Sequence, residues 1–293
     1  MKSSFFPQKV LPYWLLMPQL VVIAVFFYWP AADALRLSFF LEDPFGFSST
    51  FVGLDNFASL LVSENYRSVA GFTLLFTVVV VTVSLALALL LAVQADAVLR
   101  GARTYRTLLM WTYAIAPPVA GLMGVLLFDQ HIGPLAHAAQ AIGWDLRLGA
   151  DYWSTGTAMM VVAIWNQLPI NFIFFLSGLQ GIPHSVREAA LMDCRSDTRR
   201  FWTITFPLLA PTCFFLTVIA TTHALFDTFG LVDVLTKNEP GNNPITLVYK
   251  IYLDGFRGND LGGSSAQSVL LMVLVLLITW VQFRLIDKKI HYQ

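Results

Sequence analysis

The sequence predicts an all-α protein that crosses a membrane six times. Of its 293 residues, 57% are hydrophobic and 12% are charged, and the mean hydropathy is +0.67. A soluble domain carries about 25% charged residues, so lipid must surround much of this chain. Apolar stretches of about 20 residues, the length that spans a bilayer as a helix, occur at six places. The formal net charge of zero argues against a nucleic-acid partner.

Each predicted span is a mostly apolar stretch between more polar connections. Prolines and uncharged polar residues interrupt several of them, which is tolerated where a helix faces other helices or a wet cavity. They lie within a membrane domain predicted over residues 11–285, flanked by terminal segments 1–10 and 286–293. The predicted spans are Leu11–Ala32, Val69–Val93, Leu108–Phe128, Thr157–Leu179, Phe206–Phe229 and Gln267–Phe283.

The distribution of lysine and arginine predicts the orientation. An even number of spans places both termini on one side, and that side receives twelve of the 18 cationic residues. The other six are spread over longer loops. Positive residues favour the cytoplasm, so we expect both termini, and the loop between spans four and five, to be cytoplasmic.

Two of the outer connections contain features of ordered structure. Residues Asp43–Phe57 mix turn-forming residues with aromatic ones, and Pro244–Phe256 alternate in part between apolar and polar side chains. The second pattern is compatible with either a strand or an interfacial helix.

The loop between spans four and five contains a predicted short helix. Pro183 suits a first helical turn, and Ser185 with Glu188 fits a capping box. Ala189 and Ala190 form a small-residue face that permits close approach of another surface. One interpretation is a helix that rests on lipid headgroups. Acidic residues gain nothing there, and insertion into a protein groove explains them better.

The residues "EAALMD" followed by "FWTITFPLLAP" resemble the EAA loop of ABC-importer permeases. The glutamate, the aspartate five residues later and the proline nineteen residues later all match. The resemblance implies the type I ABC importer permease fold and a coupling helix that docks on a cytoplasmic ATPase. We call residues 181–206 the EAA-like loop. The coupling residues implied are Glu188, Ala189, Ala190, Asp193, Cys194 and Pro207.

The EAA-like loop departs from the family pattern at one point. Cys194 and Arg195 stand where the family usually has glycine and alanine. If Cys194 holds a left-handed turn, the strain is of order 1–2 kcal/mol. The alternative is that the turn is re-formed.

Other segments are similar to the permeases of sn-glycerol-3-phosphate importers, within the carbohydrate-uptake branch. They include "FVGLDNF", "LFDTFGLVD" and "LVYKIYLDGFRGNDLGGSSAQSVLLM". The resemblance implies import of sn-glycerol-3-phosphate or glycerophosphodiesters, with a sugar or oligosaccharide as the alternative. The implied partners are a second, different permease subunit, two copies of a P-loop ATPase, a periplasmic binding protein and membrane lipid. No cofactor is expected on this chain, since ATP and Mg²⁺ belong to the ATPase.

Two other classes of function lack their expected residues. A membrane enzyme is disfavoured because the five histidines form neither H-E-x-x-H nor another metal spacing, and G-x-S-x-G is absent. We therefore predict no catalytic or metal site. A secondary transporter or channel usually has intramembrane ionisable residues, and here His223 and Asp227 are the candidates. The sequence has no P-loop motif, so ATP must act through a partner.

Polar residues in spans four and five are candidates for the substrate path. Buried amides often bond neighbouring helices, but in related sugar permeases the substrate pocket falls on these segments. The predicted spans contain no lysine or arginine, so a phosphate would need charge from the other permease, or helix N-termini and amides. The candidates are Trp165, Asn166, Gln167, Asn171, Thr221, Thr222, His223 and Asp227.

Overall fold

A computed structural model describes residues 11–43, 48–97, 102–144, 146–149, 151–194, 196–236 and 243–286. The predicted terminal segments therefore lie outside the described residues, except for Ile286. The first elements are α1 (Leu11–Ile23), α2 (Trp29–Leu37), β1 (Phe40–Glu42), β2 (Ser49–Phe51), α3 (Asp55–Val62), α4 (Glu64–Ala97), α5 (Ala102–Trp111), α6 (Pro117–Leu127) and α7 (Pro134–Ala141). They are followed by α8 (Tyr152–Gln180), α9 (His184–Asp193), α10 (Asp197–Arg200), α11 (Phe206–Leu208), α12 (Ala210–Phe226), α13 (Phe229–Leu235), α14 (Leu247–Tyr252) and α15 (Leu261–Ile286).

Four helices in the described residues are long and apolar enough to cross a membrane without a sharp bend. They are Tyr13–Leu37, which joins α1 to α2 through a π-helical turn, then α4, α8 and Leu261–Arg284 of α15. Two bent helix pairs bring the number to six when each pair is counted as one span. The helices extend beyond the predicted spans, since α4 begins five residues before Val69 and ends four after Val93.

A proline residue accounts for each of the two bends. Thr107–Ala114 meets α6 at 103°, where Ala116 is extended (φ −62°, ψ 146°) because a residue that precedes proline is disfavoured in helix. Asp197–Leu208 meets α12 at 68°, next to Pro211, which cannot donate a hydrogen bond to the carbonyl four residues earlier. Spans three and five were predicted as apolar stretches interrupted by prolines, and the structure shows a sharp bend in each.

Short elements between the long helices also differ from the expectation. β1 and β2 pair antiparallel, with Phe40 opposite Phe51, so the protein contains a small hairpin beside its helices. The segment Pro244–Phe256 forms α14 and a π-helical turn, which excludes the strand alternative. The second helix of span five, α12, ends at Phe226, and the separate helix α13 begins at Phe229.

The described residues fall into two compact units. One contains the chain up to Ser63 together with Ile251–Val273, and the other contains Glu64–Lys250 with the remainder of α15. In the first unit, the amide of Asn56 donates to the carbonyls of Ser38 and Phe40, both at 3.0 Å, which fixes α3 against the start of the hairpin.

The core of the second unit lies where α4, α8 and α12 pack together. Ala88, Ala92 and Ala95 repeat at helical spacing, so one face of α4 consists of small side chains and lets α8 approach closely. The large residues that fill this contact are Phe172, Phe175, Leu176, Leu179, Leu209 and Leu216.

A second close contact joins α6 to α13. A Cβ atom at Gly121 would lie 3.1 Å from the carbonyl oxygen of Leu231, and one at Gly230 would lie 2.5 Å from Cγ of Pro118. Both glycines are therefore required by close approach. The sequence contained no periodic signal for α13, because a seven-residue helix is too short to have one.

Candidate functional site

The helix predicted in the EAA-like loop is α9. It begins at His184. The preceding residue, Pro183, is extended (φ −55°, ψ 142°), and no side chain caps the start of the helix with a hydrogen bond. The capping box predicted for Ser185 and Glu188 is therefore wrong. Glu188 instead lies 3.1 Å from Nδ1 of His184, one helical turn earlier, and both side chains are exposed.

The two alanines of the loop point in different directions. Ala189 is exposed, whereas Ala190 is only 4% exposed and contacts the chain's own interior. The prediction that both alanines form one docking face is therefore wrong for Ala190. The most exposed large apolar side chains of α9 are Leu191 and Met192, and Met192 is 89% exposed, while Val186 is exposed to a smaller extent. Adjacent exposed apolar side chains rimmed by charged ones are typical of an interaction surface.

A cavity of about 410 Å³ lies behind α9. Its walls come from the ends of α4 and α8 and from the segment Asp197–Leu208. Most of its lining is apolar, with Val93, Val186, Ala190 and Ile204 among the contributing residues. The helix thus rests over a space that its own side chains do not fill.

The residue that departs from the family pattern adopts an ordinary conformation. Cys194 has φ −127° and ψ 110°, which is extended backbone open to any residue. The left-handed strain considered for Cys194 is absent, and the turn is re-formed. Asp193, exposed, ends α9, and α10 begins three residues after Cys194. Pro207 lies in α11, at the far end of the same segment.

Four amides each donate a hydrogen bond to a different helix or its flank, and we call them the interhelical amides. Asn166 donates to the carbonyl of Ile115 at 3.1 Å, and Gln167 to the carbonyl of Ala220 at 3.2 Å. Asn171 donates to Oγ of Ser84, and Gln282 to Oγ1 of Thr221, at 3.2 and 2.9 Å. These bonds connect α8 to α4, α6 and α12, and α15 to α12.

The oxygens of three interhelical amides are buried acceptors. Oε1 of Gln167, Oδ1 of Asn171 and Oε1 of Gln282 have no hydrogen-bond partner among the described residues. A buried acceptor without a partner costs about 1–3 kcal/mol, so these oxygens favour a donor from water or a ligand. Sequence reasoning missed Gln282 and Ser84. Each is a polar residue in a span, but only the fold shows that it contacts a predicted substrate-path residue, Thr221 for Gln282 and Asn171 for Ser84.

The remaining path candidates do not share this environment. Thr221 is buried and accepts from Gln282, whereas Thr222 and Asp227 are exposed. His223 is half-buried, and its Nδ1 has no partner in the part of the chain that the structure describes. Trp165 is half-buried, and its carbonyl cannot receive the usual helical bond because Pro169 lacks an N–H.

Comparison with a protein family decides which class of protein this is. The family described as binding-protein-dependent transport system inner membrane component matches residues 72–292. The chain belongs to this family. It is therefore a multi-pass inner-membrane component of a transport system, with the type I ABC importer permease fold.

Relatives in the family match the chain from end to end. It is 47% identical over 294 residues to the sn-glycerol-3-phosphate transport system permease protein UgpA of Brucella suis, covering 100% of each sequence. It is also 47% identical to the protein of that name from Rhizobium meliloti, with the same coverage. Its identity to the Yersinia pseudotuberculosis protein is 43%, over 96% of each chain.

Solved structures share the fold at low sequence identity. A bacterial ABC transporter involved in the import of the acidic polysaccharide alginate matches with a TM-score of 0.79 over 95% of both chains, at 20% identity. The same kind of transporter in complex with an alginate pentasaccharide-bound periplasmic protein gives 0.78 over 94% of this chain and 93% of that one. At this identity the likeness concerns the fold alone.

Proposed function

We propose that this chain is one of two different permease subunits in an ATP-driven importer of sn-glycerol-3-phosphate or glycerophosphodiesters. A periplasmic binding protein delivers the substrate, and this subunit forms half of the translocation path. The observation that carries the proposal is the 47% identity, over full length, to relatives named for sn-glycerol-3-phosphate transport. The chain itself performs no catalysis in this function.

The EAA-like loop is the proposed attachment point for a cytoplasmic ATPase, two copies of which hydrolyse ATP with Mg²⁺. Leu191 and Met192 are exposed on α9, and Glu188 is exposed one turn before Met192. An apolar contact with a charge at its edge is the composition of a protein interface with a buried centre and a polar rim. Ala189 is exposed and small enough to permit close approach.

The interhelical amides are proposed to line the substrate path. The unbonded oxygens of Gln167, Asn171 and Gln282 accept hydrogen bonds, so they suit the hydroxyl groups of a glycerol moiety rather than its phosphate. The phosphate then requires donors from the second permease or from helix N-termini. Asp227 is exposed at the end of α12, so it need not face an anionic substrate.

The orientation belongs to the same proposal, with both termini and the EAA-like loop in the cytoplasm. It is tested by membrane-impermeant thiol labelling in a background that lacks Cys194 and Cys213. We expect Ile132→Cys, in the exposed segment after α6, to be labelled from outside, and Met192→Cys to be labelled only after permeabilisation. The reverse pattern would refute the orientation.

Uptake and ATPase retention together test the substrate and the coupling role. Uptake of radiolabelled sn-glycerol-3-phosphate is measured in a strain without its own copy, complemented by this chain and its partner subunits. We expect uptake that excess oligosaccharide does not inhibit. Competition by oligosaccharide instead would assign the chain to sugar import.

Glu188→Lys is the coupling variant in the same strain. In this proposal, docking buries Glu188 against a cation of the ATPase. Loss of one member of a buried, hydrogen-bonded charge pair costs about 2–5 kcal/mol, so we expect both uptake and ATPase co-purification to fall at matched membrane abundance. Glu188→Asp, which keeps the charge, is the control and should retain part of both. Full activity of Glu188→Lys would support a helix that rests on lipid.

A further inference from the structure

Arg187 makes a contact that neither the family pattern nor the docking role explains. Its Nη1 donates to Oδ2 of Asp96 at 2.9 Å, and its Nη2 donates to the carbonyl of Leu179. The two charged side chains are 36% and 19% exposed, whereas His184 and Glu188 on the same helix are 86% and 67% exposed. The Arg187 pair is therefore the more sheltered of the two.

Arg187 lies where two long helices end. Asp96 is one residue before the end of α4, and Leu179 is one residue before the end of α8. The last carbonyls of a helix have no intrahelical partner, and the partial negative charge at this end favours a cation. Neither last turn contains a basic residue of its own. Arg187 places one cation beside the ends of both α4 and α8. It also neutralises the Asp96 carboxylate, which lies at the end of α4 where the helix dipole disfavours a negative charge.

Packing determines how firmly each side of this contact is held. The ends of α4 and α8 are joined through Ala92, Ala95, Phe175 and Leu179 of the apolar core, so they form one rigid base. The underside of α9, in contrast, lies over the cavity of about 410 Å³. A force on α9 would tilt the helix into this space unless a directional bond held it to the base.

We propose that Arg187 is a positioning residue that fastens the coupling helix to spans two and four throughout the transport cycle. Movement that the ATPase imposes on α9 then passes to both spans, and not only along the chain into span five. A guanidinium suits this role because its planar donors hold two acceptors in fixed directions. The inference rests on the proposed function of the EAA-like loop as the ATPase attachment.

The experiment replaces the ion pair by a covalent link. Asp96→Cys and Arg187→Cys are combined in a chain with Cys194→Ser and Cys213→Ser, within the complete importer. A bifunctional methanethiosulfonate reagent joins the two thiols, and dithiothreitol releases them. The readout is the number of sn-glycerol-3-phosphate molecules taken up per ATP hydrolysed. In the released variant, the number of molecules taken up per ATP should be about tenfold below that of the wild type, which is within the usual range of coupling between sites. In the cross-linked variant, this ratio should return towards the wild-type value.

The controls separate positioning from a structural role. Arg187→Ala should keep the ATPase bound and hydrolysing while uptake per ATP falls, and Arg187→Lys should recover part of the ratio. A variant that only destabilised the fold would lower membrane abundance and leave the ratio unchanged. After treatment with the reagent, uptake per ATP should remain low in each single-cysteine variant.

Two results would overturn the inference. The released double-cysteine variant could retain the wild-type ratio, which would make the contact dispensable. The cross-linked variant could lose uptake altogether, which would mean that the contact must open in each cycle. A wild-type complex that hydrolyses ATP without taking up sn-glycerol-3-phosphate would refute the proposed substrate alone. The cross-linked and released forms would then be compared by the number of oligosaccharide molecules, the alternative substrate, taken up per ATP hydrolysed.

Discussion

The EAA-like loop and the interhelical amides satisfy their polar groups in different ways. In the loop, His184 and Glu188 form a pair with both side chains exposed, and exposed pairs contribute about 0–1 kcal/mol. Among the amides, Gln167 is 2% exposed, donates to a neighbouring helix and keeps an unbonded oxygen. One region offers charges in water, and the other offers neutral acceptors away from it.

This difference is explained by the solvent of each region. Water screens a charge at little cost, so the loop can vary its charged side chains and present them to a partner. A bilayer or a protein interior penalises a charge strongly, so the spans use amides, whose donors hold helices together. The loop is therefore suited to docking, and the amides are suited to holding helices and to meeting a hydroxylated substrate.

The largest expected effect comes from placing a charge in the wrong region. Gln167→Glu keeps the shape of the side chain but loses the donor to Ala220 and adds a carboxylate beside that carbonyl. An ionised residue at the centre of a span costs about 2.5–3.5 kcal/mol. We expect a marked loss of membrane abundance and of thermal stability in detergent.

The matched control adds the same charge to the loop. Met192→Glu is exposed to water, so the stability of the chain should change by no more than about 0.5 kcal/mol, while ATPase retention falls. Equal losses of stability in the two variants would remove the contrast between the regions.

The alanine pair of α9 provides an intermediate effect. Ala190→Asn places an amide on the buried side of the helix, against the mostly apolar lining of the cavity, and a buried polar group without a partner costs about 1–3 kcal/mol. The melting temperature of the permease without its ATPase should fall. Ala189→Asn, on the exposed side, should leave that melting temperature nearly unchanged and weaken only ATPase binding. If both variants melt alike, the assignment of the two faces is wrong.

The smallest effect is expected at an exposed cap outside the spans. Asp151 accepts hydrogen bonds from N and Oγ of Ser154 at 3.0 and 2.9 Å, at the start of α8. The backbone bond, and then the side-chain bond, hold the pKa of Asp151 below its ordinary value. Because the folded pKa is the lower one, this stabilisation is present at neutral pH and is lost as the pH falls through the folded value.

A comparison with Asp151→Asn tests this linkage. The amide can still cap the helix but does not titrate. We expect the melting temperature of the wild type to decline towards that of the variant as the pH is lowered from neutral to about 3, below the reference pKa of aspartate. A difference that stays constant with pH would exclude a contribution from the ionised cap.

Length and composition were sufficient to predict the membrane helices. About 20 apolar residues in a row leave few alternatives to a spanning helix. The position of α9 also followed from the sequence, because Pro183 favours the start of a helix and the family resemblance implies a coupling helix in this loop. The uncharged residues at Asn166, Gln167 and Asn171 were visible for the same reason, since polar side chains are conspicuous in an apolar run.

Only the tertiary structure decided which groups meet. Asp96 and Arg187 are separated by 91 residues and Gln282 and Thr221 by 61, so no local pattern connects them. The direction of Ala190 depends on the angle at which α9 lies over the ends of α4 and α8, and two alanines in sequence cannot indicate it. The extended conformation of Cys194 is a further example, because several backbone paths can end a helix and the packing around the loop selects one. Sequence periodicity reports burial along a single helix, whereas these contacts depend on how separate helices pack.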